Sequence, residues 1–556
     1  MFIFSKFYII SNSSCLFIEC HSNEKYTKDH RSVLLITLFL MERRLFKKLS
    51  IILFSLLLIN CGGGGGGADS PTPAPEPTTA PQPAPPPSMN SVSFLSSNNN
   101  SLDNDVTLVI EEDLITGRIT SNVRVDNLIA TYDYEGVSVK IDGVTQQSGI
   151  SENDFTQVTT LLVENADGDT RSYQVDLTKF TGLPIVYLTT ENNIEVESKE
   201  DYINGTVEID GGRFFDDMPV SEIRIRGRGN STWFLHPKKP YQIRFEEKTE
   251  FLGMIEDKRW LFLAEYSDKT LLRNKTVFEM GYISNFDYTT QGVYAEVYLN
   301  GLYNGTYNVT QKVEESNNRV AVGDEGYLLE IDQDWRLDDD DVFFYTDQFL
   351  VNVKEPAIAY DTPEYYYIRE YINQFEDALF GSLFTSDNFG YKSYIDVPSW
   401  VDWFIINEIV KNVDSRNFAS IFFSVIPGEK IKKGPLWDFD LSFGNTDYAD
   451  SQYSDGWWVK YNPWYERLFE DPEFVQLVKD RFFYYKQNQQ FILDKVDEFA
   501  AHLVWAQVEN NDKWQTMGQY VWPNAVVLET YEEEVVHLKN WYIERMDWLE
   551  TALDDL

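Results

Sequence analysis

The chain has 556 residues, a formal net charge of −42 at pH 7 and a calculated isoelectric point of about 4.4. A protein this acidic repels phosphate backbones, which argues against a nucleic-acid partner. Hydrophobic residues make up 43% of the chain and aromatic residues 15%, which is ample for buried cores, and the length predicts about two or three domains.

The N-terminal segment has the pattern of a cleavable signal. A basic segment begins at Met41, so Met41 is interpreted as the true translation start and residues 1–40 as the result of a mis-called one. An unusually long leader is the alternative. The apolar run that follows is too short to span a bilayer and ends at Ile59. Residues 41–60 therefore predict a lipoprotein signal peptide, and an uncleaved N-terminal anchor would give the same topology.

A single cysteine follows this signal. The residues from Leu58 to Cys61 resemble a bacterial lipobox, which predicts lipidation of Cys61 and a membrane anchor. The expected location is the bacterial cell envelope, in the outer membrane or at the cell surface. Removal of the leader leaves Cys61 as the only cysteine, so disulfides, thiolate metal sites and cysteine nucleophiles are excluded from the mature chain.

The next segments predict a spacer and a small β domain. Residues 61–88 are rich in glycine and then in proline, which is typical of a semi-extended linker. Residues 89–180 contain short alternating stretches separated by turn residues, which predict a β-sandwich that resembles Ig-like or cadherin-like surface modules. Spacer and adhesive roles are both open for this module. The predicted strands are 92–95, 106–110, 128–132, 137–141, 158–163 and 173–177.

The remainder, residues 183–556, begins with strands and ends with helices. The last predicted helix follows Thr530, which forms a capping box with Glu533. A β-rich first half and an α-rich second half predict a two-lobed α+β architecture. The other predicted elements are strands 185–189, 223–226, 241–245, 293–299 and 327–331, and helices 364–380, 400–411, 472–485 and 491–508.

Two polar segments in the first half of this region are candidate ligand-binding sequences. A glycine-rich basic segment spans 226–244 and could hold an anion, although a β-hairpin with a basic surface is favoured from these residues alone. Asp268 is a predicted helix N-cap, and Arg273 and Asn274 either point into a site or, in the slightly favoured interpretation, make capping and surface contacts. The candidate phosphate-binding residues of the basic segment are Arg226, Arg228, Asn230, Ser231, Lys238, Lys239 and Arg244.

Two acidic segments follow in the second half. Asp414 and Asn417 come directly after a predicted helix, and Asp438 and Asp440 alternate with aromatic residues. Carboxylates among apolar neighbours need a cation or strong donors, and oxygen ligands of this kind suit Mg²⁺. In phosphoryl transfer one Asp orients the attacking hydroxyl while an Asn and a further Asp hold the metal. A turn with solvated carboxylates is the less favoured alternative.

Taken in order, these motifs resemble the CotH kinases, a family of atypical protein kinases, over residues 183 to at least 450. The resemblance implies a kinase-like fold that binds ATP and Mg²⁺ and phosphorylates proteins. It implies that Asp414 is the catalytic aspartate, that Asn417, Asp438 and Asp440 bind metal, and that the basic residues above, or Arg273, contact the nucleotide. Segment 310–314 would lie near the hinge between lobes. Two departures are Gln311, where an acidic residue is expected, and the absence of His or Arg directly before Asp414.

The sequence thus leaves two hypotheses for function. The leading one is an exported lipoprotein that transfers the γ-phosphate of ATP, with Mg²⁺, to Ser or Thr of a surface, periplasmic or secreted protein. The alternative is a catalytically weak or inactive adhesion or envelope-structural lipoprotein that uses the kinase-like fold for binding. Zinc chemistry is poorly supported, because the histidines at 236, 502 and 537 are scattered.

Overall fold

The computed structural model describes residues 84–556 except 103, 120–122, 124, 180 and 213. The predicted leader and signal peptide, Cys61 and most of the predicted linker lie outside these residues. In the described part of the chain, none of the helices combines the length and the apolar character needed to cross a membrane.

The N-terminal part is all β, as predicted. Two sheets, with strand orders β2-β1-β5-β8 and β3-β4-β10-β9-β6-β7, enclose a hydrophobic core that includes Val92, Phe94 and Leu161. Strand β4 was not predicted, and the predicted strand 106–110 is divided in two. The strands are β1 Ser88–Phe94, β2 Val106–Thr107, β3 Val109–Glu111, β4 Leu114–Ile119, β5 Leu128–Glu135, β6 Ser138–Ile141, β7 Val144–Thr145, β8 Glu152–Asn153, β9 Thr159–Glu164 and β10 Thr170–Lys179.

A closed barrel follows, with strand order β11-β12-β13-β14-β15-β17-β16. Alternate side chains such as Ile243, Trp260 and Phe262 fill its interior and are fully buried. Because the side-chain period of a strand is two, the neighbouring residues face outwards. The strands are β11 Ile185–Thr190, β12 Ile203–Asp210, β13 Met218–Gly227, β14 Tyr241–Phe251, β15 Met254–Leu263, β16 Gly292–Leu299 and β17 Leu302–Gln311.

The rest of the chain forms a helical region around a second sheet, of strand order β19-β20-β18-β21-β22. Residues 312–326 connect it to the barrel, and one large hydrophobic core joins the sheet to the helices. The strands are β18 Tyr327–Ile331, β19 Val342–Tyr345, β20 Leu350–Glu355, β21 Ile421–Val425 and β22 Lys432–Lys433. The helices of the chain are α1 Ser231–Leu235, α2 Arg273–Tyr282, α3 Pro363–Phe380, α4 Val397–Val410, α5 Pro463–Leu468, α6 Pro472–Gln487, α7 Gln489–His502, α8 Ala506–Trp514 and α9 Tyr531–Asp554.

The mixed α+β class is confirmed, but two predicted helices differ from the structure. Helix α2 begins at Arg273 rather than at Asp268, because the Asp268 carboxylate accepts hydrogen bonds from the backbone N–H groups of Thr270 and Arg273 and forms a turn ahead of the helix. The predicted helix 491–508 is divided into α7 and α8. The break lets Asn510 on α8 bind the barrel, a contact that periodicity does not reveal.

Helix α8 contacts both the barrel and the sandwich. Lys238 donates hydrogen bonds from Nζ to the Thr306 carbonyl oxygen and to Oδ1 of Asn510, at 2.9 Å for the latter. On the other side, Arg118 of β4 forms an ion pair with Glu509 at 2.6 Å and stacks over Trp505. The sandwich is therefore attached to the same helix that is fixed to the barrel.

A buried ion pair joins α4 to α9. Arg545 Nη2 lies 2.6 Å from Oε1 of Glu408, and both side chains are fully buried. Arg545 also donates to the carbonyl oxygens of Ser454 and Gly456, and Glu408 accepts from the backbone N–H of Trp458. This network fixes the C-terminal end of α4, which leads directly into the segment that carries Asp414.

Candidate active site

A cleft of about 520 Å³ lies between the barrel and the helical region. Its barrel side consists of the loop 226–232 and the outward-facing side chains of Gln242 and Leu261. Its other side consists of the ends of β18 and β20, the turn at Asp414 and the segment 437–441. The cleft therefore combines the basic loop and both acidic segments that the sequence singled out.

The three predicted aspartates line one wall of this cleft. Asp438 has a left-handed backbone, with φ of 68°, and its carboxylate accepts a hydrogen bond from the Ser420 hydroxyl at 3.2 Å. Asn412 donates to the Asp438 carbonyl oxygen at 3.3 Å. The Asp440 carboxylate accepts from the Ser267 hydroxyl at 3.4 Å. These contacts orient the two carboxylates but supply no positive charge.

Burial and the charges of neighbouring carboxylates raise the pKa values of Asp414 and Asp440. The pKa of Asp414 is raised to about 7, chiefly by burial and then by the charge of Asp438. The pKa of Asp440 is raised well above its usual value by burial, and then by Asp438, Glu265 and Asp414. Among the described residues, none of the three aspartates in the wall has an ion-pair partner within 4.0 Å. The wall is thus a concentration of negative charge without a bonded cation.

The opposite side of the cleft is basic. The Arg228 guanidinium lies 5.5 Å from the Trp437 ring centre. Burial lowers the pKa of Arg228, and the charges of Asp438 and Asp440 oppose that shift, so the arginine faces the acidic wall. Asn230 and Ser231 lie beside it, and Asn230 Oδ1 accepts a hydrogen bond from Lys199 Nζ at 3.0 Å. This side of the cleft therefore provides hydrogen-bond donors for an anion bound between it and the acidic wall.

One end of the cleft is apolar. Leu261, Val313, Phe422 and Trp437 belong to a single hydrophobic cluster there. Lys312 lies next to Val313, and burial lowers its pKa to about 8. A flat apolar ring could therefore bind at this end while polar groups of the same ligand extend towards the aspartates.

Five of the predicted site residues do not line the cleft. Asn417 is exposed, Lys239 donates to the Trp233 carbonyl oxygen, and Arg244 lies on the outer wall of the barrel. Lys238 is buried beneath α8, where burial lowers its pKa to about 7. Arg273 is buried in an ion pair with Asp268. The structure brings together Arg226, Arg228, Asn230, Ser231, Asp414, Asp438 and Asp440.

Comparison with known proteins identifies the family. The family model described as CotH kinase protein matches residues 223–549. This chain belongs to the CotH kinase family. None of the curated proteins matches it.

Two solved structures are similar to parts of this CotH chain. A Bacteroides fragilis protein described as secreted is 18% identical over 16% of this chain and 91% of its own, with a TM-score of 0.13. A Bacteroides thetaiotaomicron protein described as a glycoside hydrolase is 12% identical over 51% of this chain and 86% of its own, with a TM-score of 0.15. TM-scores this low support no conclusion about fold or function.

Gln311, the departure from the CotH pattern, has a defined structural position. Its side chain is buried at the end of β17, and Oε1 accepts hydrogen bonds from the Tyr288 hydroxyl and the Gln291 backbone N–H, both at 3.0 Å. An amide oxygen accepts both bonds as a carboxylate would, without the cost of a buried charge. Gln311 therefore satisfies two donors at the end of β17 without placing a charge there.

Several cleft residues of this CotH chain were not predicted. Glu330 and Asp332, at the end of β18, pair with Lys354 at 3.7 Å and Arg336 at 2.8 Å respectively. The strand that carries Glu330 and leads to Asp332 was predicted as residues 327–331, but its carboxylates were not singled out as site residues. Lys312 and the stacked pair Tyr448 and Trp522 carry no comparable sequence pattern, since chain folding alone brings them to the cleft.

Proposed function

We propose that this chain is a two-lobed, kinase-like enzyme that transfers the γ-phosphoryl group of ATP to a Ser or Thr hydroxyl of a protein. Membership of the CotH kinase family supports the use of ATP. The observation that carries the proposal is the convergence of Asp414, Asp438 and Asp440 on one wall of a cleft whose other wall presents Arg228. The barrel would be one lobe and the helical region the other.

The cleft suits a nucleotide in one orientation. The apolar end formed by Leu261, Val313 and Phe422 fits an adenine ring, because burial of apolar ring surface is favourable there. The phosphates would then lie towards Arg228 and Asn230, where guanidinium and amide groups donate hydrogen bonds. The γ-phosphate would face the aspartates.

A Mg²⁺ ion, which the family implies, fits Asp438 and Asp440. Among the described side chains, no three from His, Cys, Asp and Glu lie close enough together to hold a metal ion on their own. Mg²⁺ does not require such a cage, because it is usually held by one or two carboxylates together with waters and substrate phosphates. When bound, the ion would neutralise phosphate charge and the unpaired charge of the acidic wall.

Asp414 fits the role of the proton acceptor. In the proposed step the acceptor hydroxyl oxygen bonds to the γ-phosphorus, the bond from that phosphorus to the β–γ bridging oxygen breaks, and ADP leaves. Asp414 takes the hydroxyl proton. A general base works best when its pKa lies near the operating pH, and burial raises the pKa of Asp414 to about 7.

Thermal unfolding with ATP and Mg²⁺ tests nucleotide binding. A ligand that binds only the folded state must raise its stability, so millimolar ATP with Mg²⁺ should raise the Tm of the full chain. The shift should vanish in Asp438→Ala and persist in Asp494→Ala, which removes an exposed carboxylate on α7. An unchanged Tm of the wild-type chain would instead favour the alternative function, an adhesion or structural protein that binds partners without catalysis.

The predicted lipid anchor is also proposed. Cys61 would carry the lipid and fix the protein to the cell envelope, where a surface or periplasmic protein would be the acceptor. Metabolic labelling with a fatty acid should label the wild-type chain and leave the Cys61→Ser variant unlabelled. Equal labelling of both would contradict the assignment.

A further inference from the structure

The peptide group between Asp438 and Phe439 is held from both sides. Its carbonyl oxygen accepts a hydrogen bond from Asn412 Nδ2 at 3.3 Å, and its N–H donates to Oδ1 of Asn274 at 2.8 Å. Because the peptide group is planar, contacts at both of its polar atoms fix its orientation. Asp438 has a φ of 68°, which a residue with a side chain keeps only where its surroundings hold it there. The direction of the Asp438 carboxylate therefore depends on these two amide side chains.

Asn274 is held in turn by Glu265. Asn274 Nδ2 lies 3.2 Å from Oε1 and 3.1 Å from Oε2 of Glu265, and Oε1 also accepts a hydrogen bond from Asn308 of β17 at 3.3 Å. All three side chains are buried. A side-chain amide has both a donor and an acceptor, so Asn274 can bond a carboxyl group through its nitrogen and a peptide N–H through its oxygen. These contacts form a continuous connection from the barrel to the acidic wall.

The beginning of helix α2 makes a further contact with the same acidic segment. Arg273 Nε donates to the Ser442 carbonyl oxygen at 3.1 Å. In the loop before the helix, the Ser267 hydroxyl donates to the Asp440 carboxylate at 3.4 Å. The start of α2 and the loop that precedes it therefore hold the acidic segment at several points.

We infer that Asn274, oriented by Glu265, is a positioning residue that holds the two aspartates of this segment in the arrangement that binds Mg²⁺. The inference rests on the proposed function, in which Asp438 and Asp440 hold the ion. Neither Asn274 nor Glu265 lines the cleft, so both act on the aspartates from behind the wall. Groups that orient metal ligands without touching the metal typically change its affinity by about 10- to 100-fold when they are replaced. Loss of Asn274 should therefore weaken Mg²⁺ binding while both aspartates are still present.

A purely structural role for Asn274 would have a different signature. Any buried hydrogen bond stabilises the folded state, and its loss leaves a polar group unpaired. Asn99 of the sandwich makes similar buried contacts, because Nδ2 donates to the carbonyl oxygens of Leu95 and Ile129 and Oδ1 accepts from the Ile129 backbone N–H at 2.8 Å. Asn99→Leu and Asn274→Leu should both lower the Tm of the nucleotide-free protein. Only Asn274→Leu should change the requirement for Mg²⁺.

Thermal unfolding of the full chain at a fixed ATP concentration, with free Mg²⁺ varied, tests the inference. Leucine has a similar shape to asparagine but can neither accept from Phe439 nor donate to Glu265. In Asn274→Leu the Mg²⁺ concentration that gives half of the maximal Tm shift should therefore rise by at least about tenfold, whereas in Asn99→Leu it should be unchanged. The double variant Asn274→Asp, Glu265→Gln exchanges the acid and the amide between the two positions and keeps an acceptor for the Phe439 N–H. It should recover most of the wild-type requirement.

The possible failures are distinguishable. An unchanged Mg²⁺ requirement in Asn274→Leu would overturn this inference and leave the proposed function intact. A double variant with a requirement as high as that of Asn274→Leu would also overturn it, because the pairing of acid and amide would then not matter. If the leucine variant does not fold, Asn274→Ser, which is smaller and loses the same contacts, is judged by the same criterion. Absence of any Mg²⁺-dependent shift in the wild-type chain would overturn the proposed function and the inference together.

Discussion

Replacing Arg545 by methionine is expected to lower the free energy of unfolding by about 3–5 kcal/mol. The side chain is fully buried, and its guanidinium bonds to the Glu408 carboxylate and to the carbonyl oxygens of Ser454 and Gly456. Methionine fills similar space but leaves the Glu408 charge buried without its cation. The Trp458 backbone N–H would still donate to that carboxylate. The loss of stability is therefore smaller than the cost of burying a charge that has no hydrogen-bond partner.

Urea unfolding followed by tryptophan fluorescence measures this loss. Lys539→Met is the matched control, because Lys539 lies on the same helix and forms an exposed ion pair with Asp497, for which about 0–1 kcal/mol is expected. Adding Glu408→Gln to Arg545→Met removes the stranded charge, so the double variant should lose less than the sum of the single losses. A loss below about 1 kcal/mol for Arg545→Met would refute the proposed role of the pair.

Three further outcomes are expected. Asp414→Asn should lower the rate of phosphoryl transfer by at least about 100-fold while the thermal shift with ATP and Mg²⁺ persists, and equal rates would exclude its role as the base. Thr530→Ala should cost about 1 kcal/mol in urea unfolding, because the capping box of α9 is lost, and a neutral result would mean that α9 does not depend on its cap. Gly444→Ala should destabilise by about 1–3 kcal/mol, because φ is 72° and an added Cβ would lie 2.5 Å from the Trp541 ring, whereas a stable variant would show that the ring can move.

Local signals predicted much of the fold. The capping box at Thr530 gave the start of α9, and the hydrophobic period gave α3 and α6 to within a few residues. These elements could be predicted because helix caps and hydrophobic periodicity depend on residues that are close together in the sequence. Helix α2 was misplaced because Asp268 can cap a helix or close a turn, and only its contacts with Thr270 and Arg273 decide between the two.

The part of the candidate site that could be predicted consists of residues on loops at the cleft. Asp414, Asp438, Asp440 and Arg228 all line it. The aromatic neighbours of Asp438 and Asp440 indicated a site there, whereas the basic segment with Arg228, taken alone, favoured a surface hairpin. Lys238 was assigned to phosphate because a lysine after a glycine-rich loop suits an anion. Its partner Asn510 lies far along the chain, and no local pattern reveals that α8 covers the lysine.

The attachment of the sandwich to α8 gives the protein a defined mechanical connection. Tension on the chain before Ala84 would pass through the sandwich to the Arg118–Glu509 contact, and from α8 through Asn510 into the barrel. The barrel would carry this load, and the loop around Arg228 belongs to it. A load applied at Ala84 would therefore reach the basic loop through α8 and the barrel wall.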